Sequence, residues 1–385
     1  MEITRIIFDD ILEHLKPGKV TVLYGSRRTG KTTITEQITQ KYNDACKIVT
    51  INGDLKIQYS WLTSENLDIY KSYLDGVDLL VIDEAQMFNN IGHILKIIVD
   101  AFPNLKVLAT GSSSFELANQ IGEPLIGRKW QYTLYPISIS ELYQSKNTKG
   151  EIKDNLENQL IYGMYPQILL TSNNTDKLSM LLEIVEGQLY KDILSYKKLK
   201  NPDLLHSLLK LLAWQIGKEV KVHELATSLK VSSETISLYL DLLEKVFLIR
   251  KVNGFSSANL RKEISKSSRY YFVDNGVRNA VINNFSDLSK RAGDEIGMLW
   301  ENFIVMERLK NREYFHNRSK DYFWRTYSQQ EIDLVEVVDG EISAFEFKYN
   351  SKTSNKNKIP SEWKKNYPDA SFKLIDSENY LEWLL

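Results

Sequence analysis

Eight residues constrain this chain more than any others. Gly25–Thr32 reads GSRRTGKT, a full match to the spacing G-x-x-x-x-G-K-[ST]. An apolar run, VTVLY, leads into it, and a helix-forming stretch, KTTITEQITQKY, leads out. Glycines permit a tight backbone path on which successive N–H groups face one anion. The helix start adds its partial positive charge. Gly25, Ser26, Arg27, Arg28, Thr29, Gly30, Lys31, Thr32 and Thr33 are therefore the expected cradle of a nucleotide triphosphate. Within it Lys31 reaches the β- and γ-phosphates and the Thr32 hydroxyl sits on Mg²⁺. Arg27 and Arg28 are expected to point away from the phosphates.

Three further segments extend this reading. LLVIDEAQ (79–86) sets Asp83 at the carboxyl end of a buried strand, where open α/β sheets bind ligands. Asp83 is the expected second holder of Mg²⁺, and Glu84 the residue that orients an attacking water. KVLATGSSS (106–114) ends another buried strand in hydroxyl residues, so Thr110 or Ser112 could sense the γ-phosphate, although a plain Ser/Gly turn reads the same way. Arg128 is a candidate for stabilising transition-state charge, in cis or from a neighbouring subunit of a homo-oligomer. It reads equally as a surface arginine.

Strand-like runs at Val20–Tyr24, Ile48–Ile51, Leu79–Ile82 and Lys106–Thr110 alternate with helical segments such as Lys31–Tyr42 and Gly92–Phe102. Their near-continuous apolar character predicts a parallel sheet covered on both faces. With 385 residues, two or three domains fit. The spans predicted are 1–145 for the ATP-binding core, 146–200 for a helical connector, 201–284 for a helix-turn-helix and hairpin module, and 285–385 for an α/β end. Residues 144–153 read as a polar loop and 351–358 as an exposed basic loop, whose Lys352, Lys356 and Lys358, with Lys364 and Lys365, are candidates to meet a nucleic-acid backbone. Lys+Arg 49 against Asp+Glu 50 gives a net charge of −1, which excludes a globally basic nucleic-acid coat. One cysteine, Cys46, allows no internal disulfide. Together with an N-terminus lacking a signal-like apolar core, and no apolar run of membrane length, it predicts a cytoplasmic protein without membrane association. The five histidines form no spaced zinc set.

Val222–Val246 carries a helix-turn-helix pattern, with Leu225, Ala226 and Leu229 on one helix and Ile236, Leu240 and Leu243 on the next. Ser233, Glu234, Ser237, Asp241 and Glu244 make the outer face polar to acidic, which phosphates would repel. The stretch that follows is basic: Arg250, Lys251, Arg261, Lys262, Lys266, Arg269 and Arg278. If DNA binds this module, these residues are expected to dominate; the alternative is a structural module linking two domains.

Near the end, IDLVEVV and EISAFEF flank Asp339-Gly340, a two-residue hairpin signal. That register sets Asp333 opposite Glu346 and Glu331 opposite Lys348, with Ile332, Leu334, Phe345 and Phe347 on the core face. Opposed acids destabilise a sheet unless compensated, and a bridging Mg²⁺ or Mn²⁺ is the natural compensation. A salt-bridged surface hairpin would produce the same pattern. Glu301 has Gly297, Met298, Ile304 and Val305 as helical neighbours, so its carboxylate faces an apolar interior, which is unusual without a partner.

In the order of these motifs the sequence resembles AAA+-type P-loop ATPases. More closely, it is similar to an archaeal and bacterial family in which the ATPase core is followed by a winged helix and a C-terminal PD-(D/E)XK nuclease-like domain. GSRRTGKTT, LLVIDEAQ, ATGSS, Gly127-Arg128, LYPISISEL, GMYP, YFVDNG and the EIDLV…EFK pair carry the resemblance. It implies an α/β core, a helical and winged-helix middle, a restriction-endonuclease-like end, Mg-ATP as ligand and association with DNA. It also implies that Glu301, Asp333 and Glu346 bind a second metal while Lys348 assists phosphodiester hydrolysis. Three functions compete: an ATP-driven DNA-processing enzyme, a nucleotide-controlled switch whose end domain only binds, and a DNA-binding regulator.

Overall fold

The computed structural model describes residues 3–43, 46–112, 125–187, 193, 201–255, 268–350 and 359–385. The chain divides into two compact units: Thr4–Tyr135 with Lys245–Phe247, and Met1–Ile3 with Pro136–Glu244 and Leu248–Leu385.

The first unit is built on five parallel strands: β1 (Val20–Tyr24), β2 (Ile48–Asn52), β3 (Leu79–Asp83), β4 (Lys106–Gly111) and β5 (Lys129–Thr133). Their order is β2-β3-β4-β1-β5. Helices Lys31–Asn43 and Ile91–Ala101 fill two of the crossovers. β1 is buried throughout, and β3 and β4 nearly so, because they lie inside the sheet. Val22, Leu80, Ile82, Val107 and Ala109 pack there with Ile94, Leu95 and Ile98. Two expectations are corrected. β2 lies at the sheet edge and is only partly buried. β5, KWQYT, forms the other edge, and its polar residues hide it from an apolar-run reading. Because every strand is parallel, all five carboxyl ends lie along one edge of the sheet.

The second unit holds a seven-stranded mixed sheet of order β12-β11-β10-β9-β7-β8-β6. These are β6 (Glu219–Val220), β7 (Ile249–Gly254), β8 (Ser268–Phe272), β9 (Lys320–Arg325), β10 (Glu331–Val338), β11 (Glu341–Phe347) and β12 (Ser371–Ile375). A 22-residue helix, Gly293–Tyr314, buries Leu299, Trp300, Phe303 and Ile304. The β10–β11 hairpin has the expected register, Leu334 pairing Phe345 and Val338 pairing Glu341. Asp339 (φ 48°) and Gly340 (φ 91°) are both left-handed, as a type I′ turn requires. Helices Val222–Leu229 and Ser233–Lys245 form the expected helix pair. β7 and β8 form the expected hairpin. It is not a free wing: β7 pairs in parallel with β9 through Asn253–Tyr322 and Gly254–Phe323. The polar stretch expected as a loop at 144–153 contains a short helix, Lys149–Asp154, begun by a capping box between Thr148 and Glu151. Among the described residues no helix is long and apolar enough to cross a membrane.

Candidate functional site

The phosphate-type loop leaves β1 and enters helix Lys31–Asn43, so its N–H groups lie at a helix start. Gly25 is there because no side chain fits: a Cβ would come within 2.4 Å of the Leu134 carbonyl oxygen. Lys31 is buried, and its ammonium donates to the carbonyls of Gly25 (2.8 Å) and Ser26 (3.0 Å). The loop thus carries its counter-charge inside. Thr29 Oγ1 donates to Ser26 O at 2.8 Å, bracing the turn. Thr32 and Thr33 are exposed at the helix start; Arg28 is exposed and Arg27 partly so.

The ends of β3 and β4 complete the site. Thr32 Oγ1 donates to Asp83 Oδ2 at 3.2 Å, and Thr110 Oγ1 donates to Asp83 Oδ1. Hydroxyl and carboxylate oxygens meet at one place, the hard donor set that suits Mg²⁺. Glu84 follows in a left-handed conformation (φ 51°, ψ 46°), a strained state of about 1–2 kcal/mol for a residue with a Cβ. Its backbone N–H donates to Thr110 Oγ1 at 3.2 Å, and its carboxylate accepts from Gln86 Nε2. Gln86 Nε2 also lies 3.1 Å from Ser112 Oγ. Asp83, Glu84, Thr110 and Ser112 therefore form one connected group.

Arg128 is not brought to this place. It precedes β5, whose Lys129 pairs with Val20, so it lies at the end of the sheet away from the loop, a strand length of about 13 Å. It pairs with Asp100 at 2.9 Å. A part played in cis is thereby corrected. Two residues of this unit escape motif reading. Buried Arg5 donates to Thr29 O (2.7 Å) and Tyr135 O (2.6 Å), tying the loop to the end of β5. Gln86 lies in the DEAQ motif, but its link to Ser112 is not local in sequence.

The second unit gathers the other predicted acids, with a cation of its own among them. Arg269 Nη1 lies 3.1 Å from Glu301 Oε1 and 3.5 Å from Asp333 Oδ1, and Nη2 lies 3.0 Å from Glu331 Oε2. Tyr271 OH donates to Glu301 Oε1 at 2.8 Å. Asp333 Oδ2 accepts the Phe347 N–H at 2.9 Å, just beyond the last ladder pair, and Lys348 Nζ donates to Glu346 Oε1 at 2.6 Å. A register shift against β9 between Ile332 and Val335 brackets Asp333 and marks a bulge there. Burial, then the Asp333 charge, pushes Glu301 up to about 8 and Glu346 up to about 7. Burial alone would lower Arg269; the surrounding Tyr271, Glu301, Asp333 and Glu331 raise it instead.

Two expectations are corrected here. Among the described residues no three His, Cys, Asp or Glu side chains are arranged to hold a metal ion. The Arg269 guanidinium supplies the positive charge expected of a metal on Glu301 and Asp333, Lys348 supplies it on Glu346, and the residues as placed do not fit one. The basic stretch also loses two members as DNA contacts. Arg269 is buried in this network, and Arg278, wholly buried, donates to Ala213 O (2.9 Å) and Glu295 Oε1 (2.7 Å). Arg261, Lys262, Lys266 and the 351–358 loop lie outside the described residues. Lys251, Lys364 and Lys365 are exposed, as are Ser233, Glu234, Ser237 and Asp241 on the second helix of the pair.

Residues 17–143 match a family model described as AAA domain. Residues 153–288 and 296–379 match two models, each described as a domain of unknown function, DUF8612 and DUF4143. An uncharacterized protein of Methanocaldococcus jannaschii is 26% identical over 347 residues, covering 86% of this chain and 75% of its own. An uncharacterized protein of Haemophilus influenzae is 26% identical over 395 residues, covering 95% and 94%. Among solved structures, the Aeropyrum pernix ORC1 protein in complex with DNA aligns over 72% of this chain and 90% of that one, at 14% identity and TM-score 0.35. AMPPCP-bound DnaA from Aquifex aeolicus aligns over 61% and 86%, at 15% identity and TM-score 0.32. The AAA domain match spans the phosphate-type loop, Asp83, Glu84 and Thr110, so the first unit is similar to an AAA-type P-loop domain.

Proposed function

We propose that the chain is a Mg-dependent ATP-binding and ATP-hydrolysing protein whose C-terminal unit binds a partner, DNA in our reading, without cleaving it. One observation carries the first part: Lys31 folded into its own loop beside the Thr32–Asp83 hydrogen bond. A triphosphate entering the loop replaces the Gly25 and Ser26 carbonyls as the acceptor for the Lys31 ammonium. Thr32 and Asp83 would hold Mg²⁺, which when bound neutralises charge on the β- and γ-phosphates. Glu84, kept in place by its own strained backbone and by Gln86, accepts a hydrogen bond from water and aligns it with the γ-phosphorus. Thr110 or Ser112 reports the state of that phosphate to the strand end. Lys31→Ala is expected to abolish ATP binding, and normal affinity in that variant refutes the reading. Glu84→Gln is expected to keep binding and lose turnover.

The winged-helix and nuclease-like readings of the second unit rest on the order of its elements. A helix pair is followed by an antiparallel hairpin, and Glu301 on a helix by Asp333 and Glu346-x-Lys348 on strands. The arginine among the acids favours a nucleotide-controlled switch over a nuclease. DNA association is supported by the helix pair and the exposed lysines, and opposed by the acidic outer face of the second helix. A salt titration of DNA affinity with the full chain tests it: affinity should fall with salt, and no binding at low salt removes DNA as the partner.

A further inference from the structure

Glu301 and Asp333 direct one oxygen each toward a single point, and a nitrogen of this chain stands at that point. Arg269 Nη1 is 3.1 Å from one carboxylate and 3.5 Å from the other. Carboxylate oxygens surround Mg²⁺ at about 2.0–2.1 Å. An ion bridging these two oxygens on the side they turn toward Arg269 would take the place of the guanidinium nitrogen.

The arginine is built in rather than resting there. β8 is extended, so Arg269 and Tyr271 project from the same face, and both reach Glu301. The Phe323 ring lies 4.8 Å from the guanidinium carbon, and the Arg269 side chain is 3% exposed. The remaining acids are engaged as well. Asp333 turns its second oxygen to the Phe347 N–H, and Glu346 is held by Lys348. Removing the guanidinium would leave buried carboxylates uncompensated, which is strongly destabilising.

We infer that Arg269 takes the place of a divalent cation in this carboxylate site, so that metal-dependent phosphodiester cleavage is closed off by a residue of the chain itself. This deepens the reading of the second unit as one that binds without cleaving. Its test uses neither nucleotide nor DNA, so it stands or falls apart from the ATPase reading.

The probe is Mn²⁺ alone, titrated into the full chain carrying Asp83→Asn, which removes the cation holder of the first unit. Bound ion is read from the loss of the free-Mn²⁺ electron paramagnetic resonance signal. With Arg269 intact, no binding that depends on Asp333 is expected at millimolar Mn²⁺. Adding Arg269→Met should create one site per chain, and adding Asp333→Asn should abolish it. A Mn²⁺ site present with Arg269 intact and lost in Asp333→Asn overturns the inference. So does a folded Arg269→Met chain that gains no site. If Arg269→Met does not fold, thermal unfolding of the unaltered chain decides. No Asp333-dependent rise in melting temperature with Mn²⁺ supports the inference, and a rise abolished by Asp333→Asn overturns it.

Discussion

Thr32 Oγ1 and Asp83 Oδ2 are hydrogen-bonded at 3.2 Å although 51 positions separate them in the chain. Thr110 engages the other Asp83 oxygen, so one carboxylate links the ends of two strands to the start of the helix Lys31–Asn43. Asp83→Asn keeps the size and an acceptor but removes the charge. ATP affinity measured with Mg²⁺ and with a chelator should converge, the Mg²⁺ enhancement falling about tenfold or more. An enhancement equal to that of the unaltered chain would take Asp83 out of the cation site.

Gln86 bridges Glu84 and Ser112 through one amide nitrogen. Gln86→Ala should leave nucleotide affinity in place and lower kcat by roughly tenfold, because the carboxylate loses the partner that aims it. A raised KM with unchanged kcat would instead mark Gln86 as a binding residue.

Arg5 holds the loop from behind, through the Thr29 and Tyr135 carbonyls. Arg5→Ala removes two charge-assisted bonds from a buried place and should destabilise the first unit by about 2–4 kcal/mol. ATP should raise the melting temperature of this variant less than that of the unaltered chain. An equal rise would show that the loop keeps its shape without the arginine.

Glu301 gives the second unit a dependence on pH. Burial and Asp333, with a smaller part from Glu331, push it from 4.5 to about 8, opposed by Arg269 and Tyr271. Between those values the folded chain holds a proton that the unfolded chain has released. Stability should therefore fall as pH rises from about 5 to about 8, by at most about 1.4 kcal/mol per pH unit, and level off above. In Glu301→Gln that decline should be shallower, and should end near pH 7, in unfolding midpoints measured across the range, because Glu346 is pushed up to about 7 and Asp321 to about 6 and their shares remain. Parallel curves for the two proteins would mean that Glu301 is already ionised in the fold.

Arg278 reads in sequence as a DNA-facing base and in structure as a buried support for the Ala213 carbonyl and Glu295. Arg278→Met should lower the melting temperature by several degrees and leave the salt dependence of any DNA affinity as it was. A reduced salt slope in a stable variant would restore it to the DNA-facing set.

The phosphate loop, Asp83 and Glu84 were legible because their chemistry is written in short contiguous runs flanked by apolar strands. The β10–β11 register, Leu334 against Phe345 through Val338 against Glu341, was legible because a two-residue turn leaves little freedom in it. Arg269 was not. Its strand is separated from Asp333 by 64 residues, and its neighbours are set by sheet order, which no local pattern records. A charged residue between Ser268 and Tyr270 in an otherwise apolar strand was the available signal, and in a basic stretch it reads as surface charge. β5 and the short helix at Lys149–Asp154 escaped for the opposite reason. Both are amphipathic and brief, and only the Thr148–Glu151 spacing announces either.

The parallel pairing of β7 with β9 has a practical corollary. Any truncation between residues 288 and 296, where the matched family segments part, cuts through a continuous hydrogen-bonded surface and strips β7 of its neighbour. The orphaned strand would present bare amide and carbonyl groups to solvent, an invitation to self-association. Fragments ending there should be recovered as aggregates, whatever the soundness of the helices they retain.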